Sequence, residues 1–309
     1  MTGIALAVSM LAQTLRISVP YALAAAGGVF SERSGVVNIA LEGILLNGAF
    51  FAVVGTHYTG SPYLGILFAM AGGLATAALH ALVTVTARAD QIVSGLAINI
   101  IAFGFTRAGL RILFHSASNS PRIPAPEPSY MRSLPGGGGP LGAVLYDPLF
   151  LLALLLLAGS LWFLFRTGLG LALRTAGEHP EAAHAAGFSV PRLRWLGVLA
   201  SGLLGGLGGA WLAFMQHSFT DQMSGGRGYI ALAAMIVGKW HPLWAGAACL
   251  LFGAAETAQI RLQGSGAPTQ LLQMLPFVLT ILVLVVWVGR SVAPAAVGKP
   301  YDPEHAEGD

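Results

Sequence analysis

The chain has 309 residues, of which 55% are hydrophobic and only 9% charged, with 16 Lys and Arg against 13 Asp and Glu and a net charge of +3. A soluble domain carries roughly 25% charged residues and keeps them in water. This composition excludes a conventional cytosolic enzyme, a nucleic-acid binder and a disordered chain, and the small net charge calls for no anionic partner.

The charges are separated by long gaps. Glu42 is the only charge between Arg33 and Arg88, and there is none in 148–165, 195–220 or 262–289. A helix needs about 20 mainly apolar residues to cross a hydrocarbon layer. In chain order the apolar stretches are 5–29, 36–54, 63–87, 92–113, 149–165, 196–215, 229–238, 243–260 and 271–289. They predict an all-α polytopic membrane protein of about 8–10 spans, because helices satisfy their own backbone in lipid. The short alternating segments of a β-barrel are absent from the sequence. Residues 1–290 read as a single transmembrane domain and 291–309 as a solvated tail. The lone Cys249 has no partner for an intrachain disulfide, and the first basic residue, Arg16, falls inside the first stretch. The first stretch therefore reads as a retained helix and not a secretory signal.

Orientation follows from Lys and Arg. With the 168–194 insert cytoplasmic, alternation puts Arg33, Arg88, Arg166, Arg174, Arg192, Arg194, Lys239, Arg290 and Lys299 inside. Arg111, Arg122, Arg132, Arg227 and Arg261 then lie outside. The weak joint is 229–238, too short for a straight crossing, which predicts a broken or re-entrant helix near 229–241. The insert 115–147, with its run PRIPAPEPSYMRSLPGGGGP, reads as an extracytoplasmic loop, either a connector or a docking surface.

Polar groups at membrane depth carry the functional signal, since burying them is costly and they line paths or bind neighbouring helices. Asn38 and Glu42, four apart, are expected on one face of the second span. Asn47 falls on another side and reads as a helix contact. Gln91, Ser94 and Asn99 cover about 140° of the fourth span as one polar face. Glu256 sits in the outer third of the eighth. These five, Asn38, Glu42, Gln91, Ser94 and Asn99, are the candidates for a substrate path. The competing reading for each is an interhelical hydrogen bond, worth about 0.6 kcal/mol. Gly202-x-x-x-Gly206 and Gly205-x-x-x-Gly209 mark close helix packing, in a bundle or at a dimer seam.

Enzyme motifs are missing from the sequence. It has no H-E-x-x-H; Ser94 and Ser201, each followed by Gly, lack the Gly two places before that a rhomboid-type G-x-S site needs; and there is no G-x-x-x-x-G-K-[ST], since Gly238-Lys239 and Gly298-Lys299 lack the following Ser or Thr. Transport remains, with any ATP hydrolysis on another polypeptide. In GLGLALRTAGEHPEAAHAAGFSVPRLRW, Pro180 suits a first helical position, Glu181 suits the helix N-terminus and Gly187 is a stop. They predict a short helix over 180–186 outside the membrane.

The runs FSERSGVVNIALEGILLNGAFFAV, ADQIVSGLAINIIAFG, RTAGEHPEAAHAAGFSVPRLR and GRGYIALAAMIVGKWHPLWAG occur in this order between about Phe30 and Gln263. Together they resemble a permease subunit of an ABC importer, in the ribose and branched-chain amino acid class and its nucleoside branch. His179 and His241 stand where such permeases more often carry Asn. The resemblance implies a coupling helix around Glu178, His179, Pro180, Glu181, Ala182, Ala183 and Gly187, seated on a cytoplasmic ATPase that binds ATP and Mg. It further implies a second homologous permease, an external substrate-binding lipoprotein and a place in the bacterial cell membrane. This chain itself would carry no cofactor. The substrate it implies is a nucleoside, with a simple sugar or a branched-chain amino acid as the alternative. An ion-coupled transporter, which builds on charged intramembrane residues and inverted repeats, fits the sequence less well. So does a channel, for which no filter-like run is present.

Overall fold

The computed structural model describes residues 3–126, 138–263, 268–287 and 292–302. Within them the chain folds as α1 (Gly3–Arg33), α2 (Leu41–Thr59), α3 (Pro62–Ala81), α4 (Gln91–Phe114), α5 (Gly142–Leu145), α6 (Pro148–Arg166) and α7 (Gly168–Glu178). Then follow α8 (Pro180–Ala185), α9 (Val190–Gln216), α10 (Arg227–Val237), α11 (Pro242–Leu262), α12 (Thr269–Gln273) and α13 (Leu275–Trp287). A π-helical turn, Leu82–Thr86, ends α3. Among the described residues six helices are long and apolar enough to cross a membrane: α1, α3 with its π turn, α4, α6, α9 and α11. The expected all-α membrane architecture is thus present. Part of the 115–147 loop, with Arg132, and parts of the 291–309 tail, with Arg290 just before it, lie outside the described residues.

α9 is the axis of the bundle and packs against α1, α2 and α3. Its glycines make this possible. A Cβ on Gly202 would stand 2.5 Å from Ala77, on Gly205 2.6 Å from Ile44, and on Gly206 2.5 Å from the Ala69 carbonyl; one on Gly209 would overlap the backbone of Leu45 and Ala49. The two small-residue motifs therefore form a seam within the chain, against α2 and α3. Gly206→Ala is expected to lower stability by about 1–3 kcal/mol through overpacking. Gly159→Ala on α6 meets nothing within 4 Å and should be neutral or gain the roughly 1 kcal/mol of helix propensity. Thermal unfolding of the two purified variants checks the contrast.

Two crossings are broken. α1 ends at Arg33, where Ser34 Oγ donates to the Ser31 carbonyl (2.7 Å) and Ser31 Oγ to the Val36 carbonyl (2.8 Å). Gly35 takes φ +99°, the left-handed conformation that stops a helix. Residues 34–40 then rise unwound to the level of Ser201, near the middle of α9, where Asn38 donates to the serine hydroxyl (2.6 Å). The predicted span 36–54 is thereby shifted: α2 begins only at Leu41.

The second break is α10. Its 11 residues cover about 16 Å, roughly half a crossing. The other half is the non-helical stretch 217–226. It starts where Ile123 N–H donates to the His217 carbonyl (2.8 Å), at the end of the bundle opposite α8. Beyond α10, the Trp240 carbonyl accepts from Arg33 Nε (3.0 Å) at the α8 end. The expected broken helix therefore crosses, and alternation continues through α11.

Candidate translocation site and coupling element

α2 and α10 start at the same depth and run in opposite directions, so two helix N-termini face each other inside the bundle. The first N–H groups of a helix have no partner within it and carry the positive end of its dipole. Glu42, on the first turn of α2, answers those of α10. Its Oε1 accepts from Gly226 N–H and its Oε2 from Gly228 N–H, both at 2.7 Å. Only glycine fits at 228, because a Cβ there would overlap the Glu42 backbone. The same-face pairing expected of Asn38 and Glu42 does not occur, since Asn38 precedes the helix and its amide serves Ser201.

The polar face of α4 holds the unwound segment. Gln91 Oε1 accepts from Val37 N–H (2.7 Å), Asn99 Oδ1 from Gly43 N–H (2.8 Å), and Asn99 Nδ2 donates to the Ile39 carbonyl (3.0 Å) and the Tyr229 hydroxyl (3.1 Å). Ser94 pairs with His80 Nδ1 (3.0 Å), whose Nε2 meets the Val37 carbonyl (2.9 Å). All five path candidates are buried: Gln91 and Asn99 bond the unwound segment directly and Ser94 through His80, Glu42 bonds the start of α10, and Asn38 lies on the segment itself. Asn47 bonds Thr76 (2.8 Å), the expected helix contact.

Arg227 is the residue that loop counting misplaced. It heads α10 inside the bundle and pairs with Glu256 of α11 through Nη2 and Oε1 (2.7 Å), both half-buried. The Tyr21 hydroxyl of α1 donates to the other oxygen of Glu256. Arg227 Nη1 reaches back to the Met223 and Ser224 carbonyls (3.2 and 3.3 Å), bracing the non-helical approach. The sequence signal was available: a basic residue following Gly225-Gly226 beside an apolar helix, and one acid in an apolar span.

The insert 168–194 is a built unit. Thr167 caps α7 by accepting from Gly170 N–H (3.0 Å). α8 runs from Pro180 to Ala185, as the spacing predicts, and Gly187 (φ +85°) stops it. Pro180 and Ala183 are buried; Ala183 lies in a small core with Ala172, Ala176, Val190, Leu193 and Tyr301. His179, Glu181, Ala182 and Gly187 face outward. Glu178 stays exposed on one side and lies 3.5 Å from Arg33. The sequence reading missed Phe188, an exposed aromatic ring next to this short helix. His241, at the start of α11, packs on Phe165. Burial and the Arg33 cation hold its pKa below the ordinary histidine value, so it is neutral near pH 7.

Over 292–302 the tail docks on the bundle with Pro294, Ala296 and Tyr301 buried, while Val292, Ala295 and 298–300 stay exposed. Ala296 N–H donates to the Gly177 carbonyl (2.9 Å), Gly298 N–H to the Gly35 carbonyl (3.3 Å) and Ala295 N–H to Glu178 Oε2 (3.2 Å). Arg194 Nη1 donates to the Lys299 carbonyl (2.8 Å), and Asp302 pairs with Arg88 (2.9 Å). The physical reason is twofold. The last carbonyls of α7 need donors, and a turn over 295–298, closed by Val297 N–H to the Pro294 carbonyl (3.0 Å) and Lys299 N–H to the Ala296 carbonyl (3.3 Å), leaves the Ala295, Ala296 and Gly298 N–H groups to reach the bundle. The acidic residues that suggested a solvated tail are mostly at 304–309, outside the described residues.

The family described as branched-chain amino acid transport system / permease component matches residues 10–284. The guanosine ABC transporter permease protein NupQ of Bacillus subtilis is 41% identical over 306 residues, covering 93% of this chain and 94% of that protein. The nucleoside ABC transporter permease protein NupC of Lactococcus lactis is 37% identical over 308 residues, 94% and 96% of the two chains. A further similar protein of Bacillus subtilis, the guanosine ABC transporter permease protein NupP, is 26% identical across 91% of this chain and 81% of its own. The chain therefore belongs to this permease family, as a multi-pass membrane component of an ABC transporter.

Proposed function

We propose that the chain is one permease of an ATP-driven importer that carries nucleosides across a bacterial cell membrane. Support for the solute comes from two full-length relatives named for guanosine and nucleoside transport. A second, different permease as partner is supported by NupP and by NupB of Lactococcus lactis, named for the same kinds of transporter as NupQ and NupC. The passage lies between the two permeases, an external binding protein delivers the solute, and a separate ATPase binds ATP and Mg.

The observation that carries the mechanism is the unit around α8, anchored by Pro180 and Ala183 and outward-facing at His179, Glu181, Ala182, Gly187 and Phe188. This face seats on the cytoplasmic ATPase. Closure of the ATPase pulls the unit, which is tied to the end of α1 by Glu178 and Arg33 and through the tail to Gly35. The pull reaches the unwound segment 34–40, and the opposed starts of α2 and α10 shift with it. Asn38, Gln91, Ser94 and Asn99 act on the passage by holding that segment, with Glu42 fixing α10.

The test is uptake by proteoliposomes containing both permeases, the ATPase and the binding protein. Labelled guanosine and uridine should accumulate with ATP, and ribose and leucine should not. Accumulation of leucine or ribose alone would overturn the nucleoside reading.

A further inference from the structure

Beside the Arg227–Glu256 pair is a cavity of about 240 Å³ between α1, α10, α11 and the corner joining α12 to α13. Its polar lining is Tyr21, Arg227, Glu256, Gln259 and Gln273, and its apolar wall includes Phe277. A larger space of about 680 Å³ abuts the same ion pair and is lined by Ser9, Gln13, Arg16 and Arg261.

Lipid does not suit such a lining. Charged and amide groups within a span face a bundle interior or a water-filled space, and Glu256 stands about two turns inside the end of α11. The hydrogen bonds leave capacity to spare. Each carboxylate oxygen of Glu256 receives one donor, from Arg227 or from Tyr21, and can accept another. The amides of Gln259 and Gln273 hydrogen-bond to no described protein group. Each offers a donor beside an acceptor, which matches the edge of a planar heterocycle carrying adjacent N–H and C=O or ring nitrogen. The Phe277 ring offers a face for stacking. The volume falls below the roughly 300–1,000 Å³ of pockets that enclose whole drug-sized ligands. It suits a nucleobase whose sugar extends into the adjoining space.

We propose that this cavity is a base-recognition subsite on the passage, with Gln259 and Gln273 reading the edge of the base and Glu256 accepting from its N–H groups. The assignment rests on the nucleoside reading and adds to it where in the chain the base is held.

The experiment uses the reconstituted importer with Cys249→Ala and either Gln259→Cys or Gln273→Cys, labelled by a small membrane-impermeant thiol reagent. Both positions should label, and guanosine and free guanine should each slow labelling about tenfold at roughly ten times the half-protecting concentration. Ribose should give no protection. No labelling at either position, or equal rates with and without guanosine, overturns the subsite. Uptake of labelled guanosine by proteoliposomes carrying the Cys249→Ala parent, with both glutamines intact, separates that failure from failure of the nucleoside reading. If guanosine is taken up without protecting either cysteine, the reading stands and the subsite falls.

Discussion

Glu42→Ala is expected to be among the most damaging single changes in the membrane domain. Its carboxylate accepts from two backbone N–H groups at 2.7 Å. Hydrogen bonds to charged groups contribute about 1.5–3 kcal/mol each, and a buried donor left unpaired costs about as much. Without water at that depth neither N–H finds a substitute. A loss of about 3–5 kcal/mol is expected, read as a sharply lower unfolding temperature in detergent and as lost uptake. Glu42→Gln separates stability from charge. One oxygen still accepts, while the amide N–H₂ opposes the other glycine N–H, so an intermediate stability is expected with uptake still poor. A Glu42→Ala protein as stable and active as the parent would show that the start of α10 is held by something else.

The second large effect is expected on the outward face of the short helix. Ala182→Trp places a bulky ring on an exposed position and should leave the permease folded. It should cut ATPase binding and ATP-dependent uptake by about tenfold or more, the equivalent of roughly 1.4 kcal/mol. Phe188→Ala removes an exposed ring and should act in the same direction. Ala183→Trp differs, because Ala183 is buried against α7, α9 and Tyr301. Overpacking there should unfold the unit itself and lower stability by about 1–3 kcal/mol. Co-purification of the ATPase with each variant, alongside thermal unfolding, distinguishes the two. Normal ATPase binding by Ala182→Trp would sink the assignment of this face.

Spans were legible because their signal is local: an apolar stretch shows itself whatever it packs against. The short helix over 180–185 was legible for the same reason, since Pro180, Glu181 and Gly187 mark its ends within a few residues. The glycine spacing in α9 foretold close packing, though not which helices would come close. What escaped is non-local. The break at 34–40 lies at the edge of a stretch whose apolar pattern runs on, and its supports are Gln91, Asn99 and Ser201, tens to more than a hundred positions away. Arg227 looked like a loop charge until Glu256 stood opposite it. Glu42 was singled out as a lone acid, yet its partners are backbone N–H groups, which no residue type announces.

The docked tail bears on how the protein is made. Residues 292–302 are synthesised after all the described helices, yet they supply the donors that close the Gly177 and Gly35 carbonyls. A chain interrupted within its last few tens of residues would keep nearly every span and insert normally. It would lack the strap that finishes the unit around α8. On the role proposed for that unit, its seat for the ATPase would be completed last, and incomplete copies would compete poorly for it. Fusions placed directly after α13 would fail for the same reason, while fusions beyond residue 302 leave the strap intact.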